Sequence, residues 1–187
     1  MGNDMSKTHA RCLHGRAIIE LYKGELWHDV ENTAYIYASG IDEQRADPRR
    51  IANICDINEG GNHDRVSRLM DNAVENCKEL LYHLTRRVGR MSYACDEQCE
   101  VVGSDENDEE SYTIMLSVPD GFSAESVHAM AVYAHEYVVY SVVCNWLMLV
   151  WPDGVSQMSA LAEDAKDRLL SASRKLAEPV RISLCPF

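Results

Sequence analysis

The hydrophobic residues between Ser123 and Trp151 occupy every side of a helix instead of one stripe. A helix with this pattern is surrounded by other elements of the fold. Its longest uncharged run, from Tyr137 to Trp151, has 15 residues, whereas a membrane-spanning helix needs about 20. Ser123 is suited to cap the helix, and Pro152 to end it. We therefore predict a buried central helix and no membrane span.

Apolar residues recurring at spacings of three and four predict three further helices. The clearest begins at Asn62 or Asp64, because a continuous apolar stripe follows as far as Leu84. A polar connection is predicted before it. The predicted bounds are Arg16–Ser39 for the first helix, Ile41–Gly61 for the connection, Arg87 for the end of the second helix and Ser156–Leu176 for the last.

A strand is predicted at Tyr112–Val118, where apolar and other residues alternate with the period of a half-buried strand. The less regular segment Met91–Val102 is its predicted partner, with the acidic run Asp105–Glu110 between them. An isolated hairpin is marginal, so it must pack on the helices or pair with another chain. The predicted fold class is mainly α: a four-helix bundle-like domain with a central buried helix plus one β-hairpin.

The length of 187 residues suits a single domain spanning the whole chain, 1–187. Within it we predict disorder over residues 1–14, a hairpin excursion at 91–118 and an extended C-terminal tail at 178–187. The seven cysteines are odd in number and irregularly spaced. Free thiols in a reducing compartment are therefore predicted.

The formal net charge is −12. Such a chain repels phosphate backbones, which argues against broad or sequence-specific nucleic-acid binding. Asp105, Glu106, Asp108, Glu109 and Glu110 are predicted to form a solvated loop tip. Repeated around a ring of subunits, this tip would make a negative rim.

His135 and Glu136 invite comparison with the HExxH helix of zinc proteases, but Val139 stands where the second histidine is needed. His128 lies on the same helix face as His135, yet a third ligand would still be required. We predict a structural or subunit-contact role for the two histidines. No catalytic, cofactor-binding or metal residues are predicted.

A carboxylate in so apolar a helix needs a partner, and this applies to Glu136. Arg65 or Arg68 of the second helix, or a neighbouring subunit, is its predicted partner. The segment Asp56–Asp64 resembles a calcium loop but lacks the ligands at positions five and twelve, so we predict a turn and helix cap. No nucleophile elbow or phosphate-binding glycine motif is present.

Several short motifs resemble those of small proteins encoded among the virion genes of tailed phages and prophages of gut Bacteroidales. The matching residues are Asn62, Asp64–Val66, Glu79–Tyr82, Val118–Pro119, Gly121–Ser123, His135–Val139, Asn145–Leu147, Pro152 and Pro186–Phe187. Such proteins are similar in plan to head–tail connector and tail-completion proteins, which form rings between portal and tail.

The resemblance implies a non-catalytic structural protein of the head–tail junction, located in the virion and in the host cytoplasm during assembly. It implies a homo-oligomeric ring that contacts portal or tail components and makes at most passive contact with passing DNA, without cofactor or membrane. Phe187, at the end of the tail, is a possible subunit contact. Two alternatives stay open: a small soluble helical metal-binding protein or enzyme using His128, His135 and Glu136, and a cytosolic protein-interaction module.

Overall fold

The computed structural model describes residues 9–13, 15–41, 48–85, 111–119 and 122–175. Within these ranges five helices of eight residues or more and three strands are present, so the predicted mainly α class with minor β is confirmed. The strands are β1 (His9–Leu13), β2 (Arg16–Tyr22) and β3 (Ser111–Ser117). The helices are α1 (Lys23–Ser39), α2 (Pro48–Cys55), α3 (Gly60–Leu80), α4 (Ala124–Val150) and α5 (Val155–Ala172).

Helix α4 is the buried central helix that the sequence predicts. It contacts all four other helices as well as β1 and β2. Twelve of its residues are buried, and they are spread over both halves of the helix. Trp146 is 2% exposed, and its Nε1 donates a hydrogen bond to the Ile54 carbonyl of α2 at 3.1 Å. Contacts within this chain thus explain most of the apolarity of α4, while Val132, Met148 and Leu149 stay exposed.

The three strands form one antiparallel sheet in the order β1-β2-β3. A two-residue connection joins β1 to β2, with Gly15 at a φ of 78°, a left-handed conformation that suits a tight hairpin. β3 pairs with β2 along its full length, from Arg16 opposite Ser117 to Tyr22 opposite Ser111. One face of the sheet packs on the helices through Ala17, Ile19, Leu21, Ile114 and Leu116.

The sheet corrects two predictions for the N-terminal part of the chain. The predicted helix from Arg16 is wrong over β2, because Ala17, Ile19 and Leu21 alternate toward the core and their backbone pairs with β3. The predicted disorder of residues 1–14 is wrong over β1, which pairs with β2. The predicted strand at Tyr112–Val118 is confirmed as β3, but its predicted partner, Met91–Val102, lies outside the described residues.

The helix bounds differ from prediction at several ends. The short α2 lies within the segment predicted as a polar connection, where Ile54 and Ile57 are buried. α3 ends at Leu80, residues 82–85 form one further helical turn, and Arg87 lies outside the described residues. α5 ends at Ala172, before the predicted Leu176. The predicted tail 178–187 lies outside the described part of the chain.

A hydrogen bond ties the sheet to α3. The Tyr112 hydroxyl of β3 donates to Asp71 Oδ1 at 2.5 Å, and the Lys23 ammonium lies 4.9 Å from the centre of the Tyr112 ring. Burial, with the nearby Asp71 carboxylate, raises the pKa of Tyr112 well above its ordinary value. None of the helices in the described ranges is long and apolar enough to cross a membrane.

Candidate functional site

His135 and Glu136, two adjacent polar residues in the middle of α4, contact two different helices. His135 Nε2 lies 2.8 Å from Asp29 Oδ2 of α1, and the His135 side chain is only 14% exposed. Its backbone position is set by the buried stretch of α4 on either side. The contact joins α1 to α4 near the middle of both helices. Sequence reasoning did not find Asp29, because no motif relates residues 106 positions apart.

Glu136 contacts Arg168 of α5, with Oε2 and Nη1 at 3.2 Å. Arg168 Nη2 also donates to Asp164 Oδ2 at 2.7 Å, and its guanidinium lies 5.4 Å from the centre of the Tyr133 ring. Glu136 Oε2 receives no well-aligned hydrogen bond, so this is a contact of opposite charges. Both side chains remain about one-third exposed or more, and a pair of this kind contributes about 0.2–1 kcal/mol.

The predicted pairing of Glu136 with Arg65 or Arg68 was wrong. Arg65 and Arg68 are exposed on α3, whereas α5 packs along α4 and brings Arg168 to the carboxylate. The need for a partner was a correct inference from the apolar surroundings. Which helix supplies the cation depends on how the helices pack, and several arginines in the sequence were compatible with the role.

His128 does not join His135 and Glu136 in one cluster. It is exposed, and two helical turns, about 10 Å, separate it from His135 along α4. In the described ranges no three histidine, cysteine, aspartate or glutamate side chains are close enough to hold a metal ion. The geometry therefore gives the metal-binding alternative no assembled ligand set in this part of the chain.

The calcium-like segment uses its polar side chains for local and interhelical hydrogen bonds. Asn58 Oδ1 accepts from Trp27 Nε1 of α1 at 2.8 Å, and Asn62 Nδ2 donates to the Asp56 carbonyl at 2.8 Å. The His63 ring lies 4.3 Å from the Trp27 ring, centre to centre. The predicted turn is present, but the predicted cap is wrong: α3 begins at Gly60, before Asn62 and Asp64, and no side chain caps its first turn.

The other predicted site residues lie outside the described part of the chain. They are Asp105, Glu106, Asp108, Glu109 and Glu110 of the acidic run, and Phe187 of the tail. Their roles stay predictions from the sequence.

Exposed apolar side chains lie near the C-terminal ends of both α1 and α4. Tyr35 and Ile36 of α1 are 66% and 69% exposed, and Met148 and Leu149 of α4 are 53% and 54% exposed. Both pairs lie at the same end of the molecule, because the Tyr37 hydroxyl donates to the carbonyl of Gly154, just after α4, at 2.9 Å. We call these four exposed residues the uncharged end.

The name follows from the sequence around these four residues. Residues 32–41 and 137–152 contain no Asp, Glu, Lys or Arg, although 26% of the chain is charged. The described residues hold seven large apolar side chains that are exposed, and four of them belong to the uncharged end. Concentrations of exposed apolar side chains of this kind mark interaction sites. The two uncharged runs were visible in the sequence, but nothing there placed them side by side.

Comparison with models of known protein families, with curated proteins and with solved structures found no match for this chain.

Proposed function

We propose that this protein is a non-catalytic structural component of the head–tail junction of a tailed phage or prophage, acting as one protomer of a ring. The uncharged end is the observation that carries the proposal. A protein that works by packing against its neighbours needs an exposed apolar surface, and this chain concentrates one at the meeting point of two helices.

The contacts of His135 and Glu136 support the same role. Each of these side chains is engaged with a neighbouring helix, through Asp29 and Arg168 respectively. Such contacts orient helices relative to one another and require no substrate. In the proposal, they keep the bundle in the arrangement that presents the uncharged end.

The resemblance to phage virion proteins supplies the biological setting. Several of its matching residues are core positions: Val118, Val138, Trp146 and Leu147 are all buried. A resemblance at packing positions supports a shared plan of the protomer. In the proposal, the partners are portal or tail components, and the acidic chain lets DNA pass without binding it.

The proposal is tested in purified particles of the phage that encodes the chain. We expect mass spectrometry to find the protein in density-purified virions, and labelled antibody to mark the junction of head and tail in electron micrographs. The major capsid protein is the positive control, and an abundant host cytosolic protein controls for carry-over. A protein found in infected-cell lysate but not in particles would contradict the proposal.

The uncharged end is also compatible with a cytosolic protein-interaction module. Deletion of the gene separates the two possibilities. A junction component is expected to leave filled heads and free tails that do not join, whereas a cytosolic module leaves particle structure unchanged. Metal analysis of the purified full chain tests the metal-binding alternative, which stoichiometric zinc or iron would favour.

A further inference from the structure

We propose that the C-terminal tail of this chain adds a fourth strand to the sheet of its own molecule, with Val180–Cys185 paired along the free edge of β1. This pairing concerns the protomer itself and does not depend on the proposed phage role. A covered edge cannot pair with a strand of another molecule, so the tail keeps copies from associating edge to edge at β1.

The described sheet leaves one edge of β1 without a neighbouring strand. In the described ranges β1 pairs only with β2, and it is an outermost strand in the order β1-β2-β3. An outermost strand presents a row of free N–H and C=O groups, which natural proteins commonly pair or cover. The opposite edge, along β3, is the one where the sequence predicts Met91–Val102 to pair.

The core-facing side of the sheet continues as far as this edge. Ala10 lies opposite Ile19, and Ile19 lies opposite Ile114, so the three residues form one row across the sheet. Ile19 and Ile114 are buried, and Ala10 packs against the core. Because residues directly opposite each other point to the same face, a strand added to β1 would extend this row. That position requires an apolar side chain.

The tail has the pattern that this position requires. Val180–Cys185 alternates strictly between aliphatic and other residues, in the order Val, Arg, Ile, Ser, Leu, Cys. This is the period of a strand with one face on a core. Pro179 and Pro186 stand on either side of it, and proline is confined to the margins of a strand. Residues 1–8 and 42–47, which also lie outside the described ranges, are mainly polar and lack this alternation.

Helix α5 brings the start of the tail to the N-terminal half of α4. The two helices pack along each other and only Trp151–Gly154 separate them, so they run antiparallel. Arg168 contacts Glu136 in the middle of α4. Ala172 at the end of α5 is four residues, or about 6 Å, further toward the start of α4.

The sheet packs on the same half of α4. β1 and β2 both contact α4. Helix α1, which follows β2 directly, contacts α4 through Asp29 and His135, and contacts the turn after α4 through Tyr37 and Gly154. α1 therefore runs in the same direction as α4, and its start, with the adjoining sheet, lies beside the N-terminal half of α4.

The tail is long enough to pass from α5 to β1. Five residues lead from Lys175, the last described residue, to Val180, and they span up to about 17 Å when extended. Packed helices lie about 8–10 Å apart, so a strand that packs on α4 is within reach of a tail that leaves α5. β3, by contrast, contacts α3 through Tyr112 and Asp71.

Amide hydrogen exchange of the full chain, followed residue by residue by NMR, tests the pairing. In a strand with one neighbour, every second amide points away from that neighbour and exchanges quickly, whereas two neighbours protect successive amides. We expect the successive amides from Ala10 to Leu13 to be protected in the wild type. Rapid exchange of every second amide would overturn the inference.

Two substitutions at adjacent tail positions distinguish a strand from a loosely attached segment. Ile182→Glu places a charge on the core-facing side of the tail, and it should speed the exchange of every second β1 amide by about tenfold or more. The amides that join β2 to β3 should stay protected, which shows that the sheet is otherwise intact. Ser183→Glu is the matched control, since it places the same charge on the opposite face and should leave β1 protected. Equal effects of the two substitutions would overturn the inference.

Mixed refolding separates pairing within one molecule from strand exchange between copies. ¹⁵N-labelled Ile182→Glu is unfolded in urea together with an excess of unlabelled wild type, and the mixture is refolded. The β1 amides of the labelled variant should keep their rapid exchange, because each wild-type tail covers its own sheet. Restored protection would show that tails reach neighbouring copies, and would overturn the assignment to the same molecule.

Discussion

Among the glycines that the structure describes, Gly154 is the one where an added methyl group should be most costly. It is buried at the turn between α4 and α5, and its carbonyl accepts the hydrogen bond from the Tyr37 hydroxyl. A Cβ at this residue would lie 1.9 Å from Tyr37 Oη and 2.6 Å from Trp151 Cδ1. Gly154→Ala must therefore displace both rings, and with them the link between the ends of α1 and α4.

Two contributions determine how far Gly154→Ala should lower the free energy of unfolding. Overpacking of a filled site costs about 1–3 kcal/mol, and loss of the 2.9 Å hydroxyl–carbonyl bond costs about 0.5–1.5 kcal/mol. Gly154→Ala is thus expected to lower the free energy of unfolding by about 2–4 kcal/mol. Burial raises the pKa of the Tyr37 hydroxyl, so it stays protonated and able to donate at neutral pH.

Urea unfolding followed by circular dichroism measures the effect, at one protein concentration for all variants. Tyr37→Phe alone should cost about 1 kcal/mol. In the double variant the hydroxyl that meets the new Cβ is gone, so the combined cost should be smaller than the sum by about 1 kcal/mol.

Gly24→Ala is the matched control, because nothing lies within 4 Å of a Cβ at this exposed position. It is expected to leave stability unchanged or to raise it by up to about 1 kcal/mol. If Gly154→Ala stays within about 0.5 kcal/mol of the wild type, or if its effect adds fully to that of Tyr37→Phe, the proposed packing of this turn is wrong.

Two further predictions concern buried groups. Trp146→Phe should lower the free energy of unfolding by about 2–3 kcal/mol, because it leaves the Ile54 carbonyl without its donor and removes core volume. Trp27→Phe loses an exposed hydrogen bond to Asn58 and should cost less than about 1 kcal/mol in the same urea assay. Equal losses of stability in Trp146→Phe and Trp27→Phe would contradict this reasoning. Burial raises the pKa of Cys77 from 9.0 to about 12, so its contribution to stability is complete below pH 9 and is lost as the pH rises toward 12. Between pH 9 and 11 the stability of Cys77→Ala should fall less steeply than that of the wild type, by up to about 1.4 kcal/mol per pH unit, and parallel curves would contradict the assignment.

Residue patterns within a single element correctly predicted the central helix and the third strand. The all-round apolarity of Ser123–Trp151 and the alternation at Tyr112–Val118 each reflect burial of that segment alone, and both predictions agree with α4 and β3. The N-terminal helix prediction failed over Arg16–Tyr22. There the spacing of Ile18 and Tyr22 fits a helix and the alternation of Ala17, Ile19 and Leu21 fits a strand, so pairing with β3 was needed to decide.

In the candidate site, too, local pattern predicted the need for a contact and tertiary packing decided the partner. The sequence indicated that Glu136 needs a partner and that His135 is a structural residue, because a polar side chain in an apolar helix carries a desolvation cost wherever it packs. It did not identify Arg168 or Asp29, since several cations and carboxylates could have met that requirement. The crossing of α4 with α5 and α1 brings these two to hydrogen-bonding or ion-pairing distance.

From the sequence alone it could be inferred that the central helix is buried, that the chain is strongly acidic, and that two long runs lack charge. These properties depend on residue type and local period. Tertiary structure alone decided that the runs 32–41 and 137–152 end close together, where the Tyr37 hydroxyl bonds to the carbonyl of Gly154 just after the second run. The physical reason is that an exposed surface is assembled from segments far apart in the chain, and their proximity depends on how whole helices pack.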